Sequence, residues 1–193
     1  MALYQAISGL RSTIFNTSKS PNRGLFYWLV VIFNRYDKKR VQEIGPDRAC
    51  AEWLLKNGAS VRWKGFSDYM KDYNKLVAGG NEHYIEAVDA TQSGINYIGL
   101  KYFDGCKYIN EIKFVNCKYI DDYAIKPLSY VKDSLIKLEI NDCKAVTQQG
   151  LYDLKGLQNL KTLKIAKLPY VDDPQAVIKE LKKSLPDCKV EYE

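Results

Sequence analysis

Catalysis and metal binding need nucleophiles, bases or ligands brought together in groups, so the scarce residue types come first. The 193 residues include one histidine, His83. A histidine acts as a base or a ligand when another polar group orients its ring. No GxSxG, P-loop, GxGxxG or HExxH motif accompanies it. The acidic pairs Asp121-Asp122 and Asp172-Asp173 could in principle hold a cation. Each stands where a turn gives way to a helical spacing, and there a carboxylate accepts free backbone N–H groups as an N-cap. Five cysteines, an odd number with no CxxC pair, point to reduced thiols in a reducing compartment. Nothing nearby in sequence activates one of them. The chain therefore reads as a non-enzyme, and its function is sought in binding surfaces.

Those surfaces must be positioned by a repeating element. In Leu135–Leu154 (LIKLEINDCKAVTQQGLYDL), Leu138 and Ile140 point one way while Lys137, Glu139 and Asn141 point the other. Period-two alternation marks a strand. An Asn-Asp-Cys turn and a helical spacing through Val146, Leu151 and Leu154 follow. Twenty-six positions earlier, Ile112, Phe114, Cys117, Ile120 and Ile125 fill the same slots. Twenty-five positions later Leu163, Ile165, Leu168 and Val171 do so. A weaker copy holds Val88, Ala90 and Ser93, with Ile85 just ahead. Strand, turn and helix at such a period predict an α/β fold: a short leucine-rich repeat solenoid of about four repeats preceded by a small helical N-terminal domain. Cys117 and Cys143 occupy equivalent core slots, where a thiol is a small apolar residue.

The flanks are read in order. Residues 1–24 are basic, hydroxylated and free of acids, the first carboxylate being Asp37. That composition suits a mitochondrial transit peptide, with an unaddressed tail as the alternative. Leu25–Tyr36 reads as a helix rich in aromatic residues, followed by Lys38-Lys39-Arg40. Phe26, Trp28, Phe33 and Arg35 could lie in a membrane interface or on a partner, or this helix could pack on its own domain. Its apolar run, Leu25–Phe33, is far shorter than the ~20 residues that cross a bilayer. Gly45-Pro46-Asp47 predicts a helix start, with the helix running over 48–56 and stopped by Asn57-Gly58. A strand over 59–63, a polar stretch over 64–75 and a break at Gly79-Gly80 precede the repeats. A helix over 175–185 and a strand over 188–192 close the far end. The expected organisation is transit peptide 1–24, helical N-terminal domain 25–80 and repeat domain 81–193.

On a solenoid, the strand residues that alternate with the inward pair face the concave surface. They are Ala87, Asp89, Thr91; Glu111, Lys113, Val115; Lys137, Glu139, Asn141; and Thr162, Lys164, Ala166. Among these, Asp89, Lys113, Lys137, Glu139, Asn141 and Lys164 are the candidate partner contacts. Mixed charge suits a protein better than a phosphate backbone, and the modest net charge of +6 gives no separate reason to expect nucleic acid.

The segment IGPDRACAEWLLKNGASVRW, with YMKDYNKL after it and EAVDATQSGI before the repeats, resembles the mitochondrial ATP synthase coupling factor B family, also called subunit s. The likeness runs from about Phe26 to the C-terminus. The resemblance implies a small helical domain on four repeats, peripheral to the matrix side of the mitochondrial inner membrane. It implies a role in proton-coupled ATP synthesis through the membrane sector of ATP synthase, or, by a related branch, in assembly of the complex I membrane arm. It also implies a Mg²⁺ site of two residues, which by motif fall on Gly58 and Thr91. Some family members carry a Cys-x-Cys pair near the second repeat strand; here that region reads Val115-Asn116-Cys117, so a role needing two vicinal thiols is not expected. A ubiquitin-ligase substrate-recognition subunit is a third reading for cysteine-containing repeats, and the N-terminal block counts against it.

Overall fold

The computed structural model describes the backbone of residues 23–76 and 83–193, with side chains from Tyr27 onward. The expected transit segment lies almost wholly outside the described residues, as do Gly79-Gly80 and the side chain of Phe26.

The fold is mixed α/β. Seven strands form one sheet in the order β2-β1-β3-β4-β5-β6-β7. At one edge β1 (Ser60–Trp63) runs antiparallel to both β2 (Tyr69–Met70) and β3 (Ile85–Asp89). From β3 onward β4 (Glu111–Val115), β5 (Lys137–Asn141), β6 (Thr162–Ala166) and β7 (Lys189–Tyr192) are parallel. Helices α1 (Arg23–Phe33), α2 (Lys38–Ile44) and α3 (Pro46–Lys56) precede the sheet. Helices α4 (Asp122–Ile125), α5 (Gln148–Tyr152) and α6 (Pro174–Ser184) follow β4, β5 and β6.

The register follows the sequence period. Val88, Ile112, Leu138 and Leu163 stand side by side, and so do Phe114, Ile140 and Ile165. All are buried, and truncating one to Ala costs about 2–5 kcal/mol in a core of this kind. Just past the parallel strands β3 to β6, one residue takes a left-handed backbone: Gln92, Asn116, Asp142 and Lys167, with φ between 52° and 56°. None is glycine; Asn and Asp tolerate this conformation, so the strain falls mainly on Gln92 and Lys167. The strain is offset because the ladder continues through the turn. Asn116 N–H donates to the Asn141 carbonyl at 2.8 Å, and Asp142 N–H to that of Ala166 at 3.0 Å. The kink sends the next side chain inward, which buries Ser93, Cys117, Cys143 and Leu168. The Cys117 thiol donates to the Ala90 carbonyl at 2.9 Å, and the Cys143 thiol to that of Phe114 at 3.4 Å.

The helical parts of the repeats are short. After α4 the chain tightens into a 3-10 segment, Lys126–Val131, with Pro127, which has no N–H to donate, in its first turn. After β3 only a 3-10 segment forms, Gly99–Phe103. The acidic pairs cap as expected: Asp121 accepts from Ala124 N–H, and Asp173 from Ala176 N–H.

Three features differ from expectation. The basic cluster Lys38-Lys39-Arg40 opens helix α2, capped by the Asp37 side chain. The polar stretch after Trp63 supplies the edge strand β2, so the N-terminal region adds two strands to the sheet besides its helices. Ala87, expected on the open concave face, is fully buried. Arg62, its register partner on the bulged strand β1, pairs with Glu86 beside it on β3 and with Glu111, its partner on β4.

Candidate partner-contact faces

Helix α1 is held by a side chain that sequence reading passed over. Asn34 follows the helix and is fully buried. Its Oδ1 accepts from the Trp53 indole N–H at 3.1 Å and from the Asn96 N–H at 3.0 Å. Its Nδ2 donates to the carbonyls of Val30 (2.8 Å) and Gly94 (2.9 Å) and to Asn57 Oδ1 (3.2 Å). The Asn57 amide donates to the Phe33 and Trp53 carbonyls at 3.1 and 2.9 Å. The two amides thus satisfy the orphan carbonyls at the end of α1 and the turn after β3 together. The indole they fix stacks on Tyr102 at 5.4 Å. Gly99 lies against that indole with no room for a Cβ. The Tyr102 hydroxyl donates to the Arg35 carbonyl at 3.2 Å and accepts from Asp37 N–H at 2.9 Å. The residue pattern Asn34…Trp53…Asn57 carries no periodicity, and only its amide-rich polarity within apolar neighbours hints at a knot.

With its end tied down, α1 presents Trp28 (56% exposed) and Ile32 (44%) outward at i and i+4, with Tyr27 (54%) beside them and exposed Arg35 just past the helix end. Phe33 is partly covered. Two apolar side chains at this exposure on one helix face make it a candidate contact surface. The cations behind it are partly engaged: Arg40 makes a two-pronged bond to Glu52, at 3.1 and 2.7 Å.

On the sheet face expected to be concave, the candidate contacts form an alternating charge row. Asp89, Lys113, Glu139, Lys164 and Glu191 are neighbours in register across five parallel strands. Opposite charges placed directly across strands stabilise the sheet. Lys164 lies 3.7 Å from Glu191, and Lys113 lies 3.3 Å from Glu111. In the neighbouring row Lys137, between Glu111 and Thr162, is exposed; Asn141 is half-buried. The face offers paired charges and amide groups to a polar protein surface of matching pattern.

Gly58 and Thr91 are brought to one end of the β1–β3 pair by the antiparallel register that sets Ser60 beside Asp89. Thr91 Oγ1 donates to Asp89 Oδ1 at 2.6 Å, so its lone pairs remain available. The donors here, a hydroxyl, a carboxylate and the Gly58 carbonyl, are all oxygens and fit a hard cation in kind. Among the described residues no group of three or more His, Cys, Asp and Glu is placed to hold a metal.

His83 stands between the rings of Trp63 and Phe66, at 5.8 and 5.7 Å, away from both faces. All five cysteines are free and buried. Cys117 is held below the usual thiol range by the neighbouring Cys143 thiol, which is itself pushed up; burial, with Cys106 beside it, pushes Cys50 up strongly.

No family model matches the chain. Whole-length relatives do. The chain is 37% identical over 185 residues to ATP synthase subunit s, mitochondrial, of Rattus norvegicus, covering 92% of each. It is 37% identical to the Bos taurus protein of that name and 35% to the Homo sapiens one, covering 89% of this chain and 88% of theirs. The chain belongs to the mitochondrial ATP synthase subunit s family.

Proposed function

We propose that this chain is a non-enzymatic peripheral protein on the matrix side of the mitochondrial inner membrane. It takes part in proton-coupled ATP synthesis by binding the membrane sector of ATP synthase. The observation that carries the reading is the likeness, over 92% of the chain, to relatives named as subunits of that complex. Two others support it. Among the described residues no helix is long and apolar enough to cross a membrane. Helix α1 exposes Trp28 and Ile32 on one face, with Arg35 just past its end, while the Asn34 knot holds it in place.

In this reading the parallel part of the sheet is a short leucine-rich repeat solenoid of about four repeats, since each strand, left-handed turn and short helix recurs at a period of 24 to 26 residues. Residues 1–24 act as the transit peptide, 25–80 as the N-terminal domain and 81–193 as the repeat domain. The α1 stripe and the alternating row Asp89–Lys113–Glu139–Lys164 are the contact faces. Gly58 and Thr91, with Asp89 beside them, would hold a weakly bound Mg²⁺ that ties the end of α3 to the turn after β3; bound there, the ion supplies positive charge between the two segments and no chemistry. The test is the Trp28→Ser, Ile32→Ser double variant on native gels of gently solubilised mitochondria. Wild-type protein is expected to migrate with the synthase and the variant to run free. Equal migration of the two would overturn the assignment of α1.

A further inference from the structure

The parallel part of the sheet ends on β7, whose one strand neighbour among the described residues is β6. Lys189 N–H donates to the Lys161 carbonyl and Glu193 N–H to that of Ile165, each at 2.9 Å. Backbone direction alternates along a strand. Lys189, Glu191 and Glu193 therefore face β6, while Val190 and Tyr192 turn their N–H and C=O groups to the open side. The side chains agree. On β4, β5 and β6 both inward positions are buried: Ile112 and Phe114, Leu138 and Ile140, Leu163 and Ile165. Their register counterparts on β7, Val190 and Tyr192, are only half-buried. Sheet edges are ordinarily blunted by a very short strand, a proline or a bulge. The opposite edge, β2, is two residues long, whereas β7 carries neither proline nor bulge.

We propose that β7 pairs antiparallel with β7 of a second copy of this chain, about a two-fold axis at Val190. In that register the two Val190 residues exchange both backbone hydrogen bonds. Lys189 and Glu191 then stand opposite Glu191 and Lys189 of the second copy. These flanking pairs are of the non-hydrogen-bonded kind, in which side chains come closest. The charge row Asp89–Lys113–Glu139–Lys164–Glu191 thereby keeps its alternation by running on to Lys189 of the second copy. The apolar row Leu138–Leu163–Val190 likewise runs on to Val190. Sliding the register by one pair sets Glu191 against Glu191, or Lys189 against Lys189, and like charges directly opposite destabilise. A two-fold interface must be self-complementary, and this strand is. An extended segment of another protein would not require that. The joint lies in the plane of the sheet, so the synthase reading stands whether or not it forms.

The test is sedimentation velocity of the purified full-length chain from low to high micromolar concentration. Wild-type protein is expected to form a dimer in a concentration-dependent way. Lys189→Glu and Glu191→Lys should each weaken it about tenfold, since each places two like-charged pairs across the axis. An equimolar mixture of the two variants should dimerise again, because the mixed pair restores both attractions; a variant that merely misfolds could not be rescued in this way. Val190→Pro removes the open-side donor, keeps the bonds to β6 and should abolish the dimer. A wild-type chain that stays monomeric throughout overturns the proposal, and so does a dimer that survives Val190→Pro. A dimer lost in Val190→Pro but indifferent to both charge variants overturns the register.

Discussion

Asn34 and Gly94 stand 60 positions apart, and the Asn34 amide donates to the Gly94 carbonyl at 2.9 Å. That bond and its four companions join α1, α3 and the turn after β3. Asn34→Ala would leave the Trp53 indole N–H, the Asn96 N–H and the Gly94 carbonyl without partners in a dry site. The expected loss is about 3 kcal/mol, read as a fall in the urea midpoint. Asn34→Asp should not rescue it, because a carboxylate has no proton for Gly94. A change below about 0.5 kcal/mol would show that the knot is not what fixes α1.

Gly150 sits inside α5, where Ala is ordinarily better than Gly by about 1 kcal/mol. Here the sign should reverse. A Cβ would collide with the Asp122 carboxylate and come within 3.0 Å of its Cα. That carboxylate cannot swing aside without losing both bonds to Thr147. Gly150→Ala is expected to destabilise by about 1–3 kcal/mol in thermal melting, as overpacking does. A stabilised variant would mean that α4 and α5 do not pack tightly enough for this contact to matter.

Asp47 is buried in the first turn of α3 and accepts from the Ile85 N–H at 2.9 Å. Burial pushes its carboxyl above the usual range, and the backbone bonds pull it only part of the way back. A raised folded value means that the folded state holds the proton more tightly than the unfolded one. The associated stability is full below the unfolded value of about 4 and is lost as pH rises through the folded value. Asp47→Asn keeps an acceptor for Ile85 and removes the charge. The stability difference, variant minus wild type, is therefore expected to grow from about pH 4 upward and then level off. Parallel urea midpoints across that range check it, and a flat difference would contradict the burial.

Mg²⁺ should raise the melting temperature of the wild type and leave Thr91→Val unmoved. At ten times its dissociation constant the ion would add about 1.4 kcal/mol. An equal response in both proteins would remove Thr91 from the site.

Much of the sheet was legible in the sequence. Leu138 and Ile140, Ile112 and Phe114, and Leu163 and Ile165 alternate at a fixed period, and parallel pairing sets them side by side. The capping role of Asp121 and Asp173 was legible because an acid before a helical spacing has a local job. What escaped was long-range and polar. Asn34 bonds residues 19, 23, 60 and 62 positions away, and no periodicity encodes that. Arg62, the register partner of Ala87, pairs with two glutamates from different strands. Lys38-Lys39-Arg40 read as a basic cluster behind the aromatic helix because Arg40's partner, Glu52, lies on the following helix, α3. The alternating row from Asp89 to Glu191 becomes visible only once the register is known.

Affinity purification of this chain from mitochondria, with mass spectrometry of what comes with it, is the decisive measurement of its association with ATP synthase. Synthase membrane-sector subunits are expected to be enriched, and lost in the Trp28→Ser, Ile32→Ser variant. Recovery of respiratory-complex assembly intermediates without any synthase subunit would contradict it.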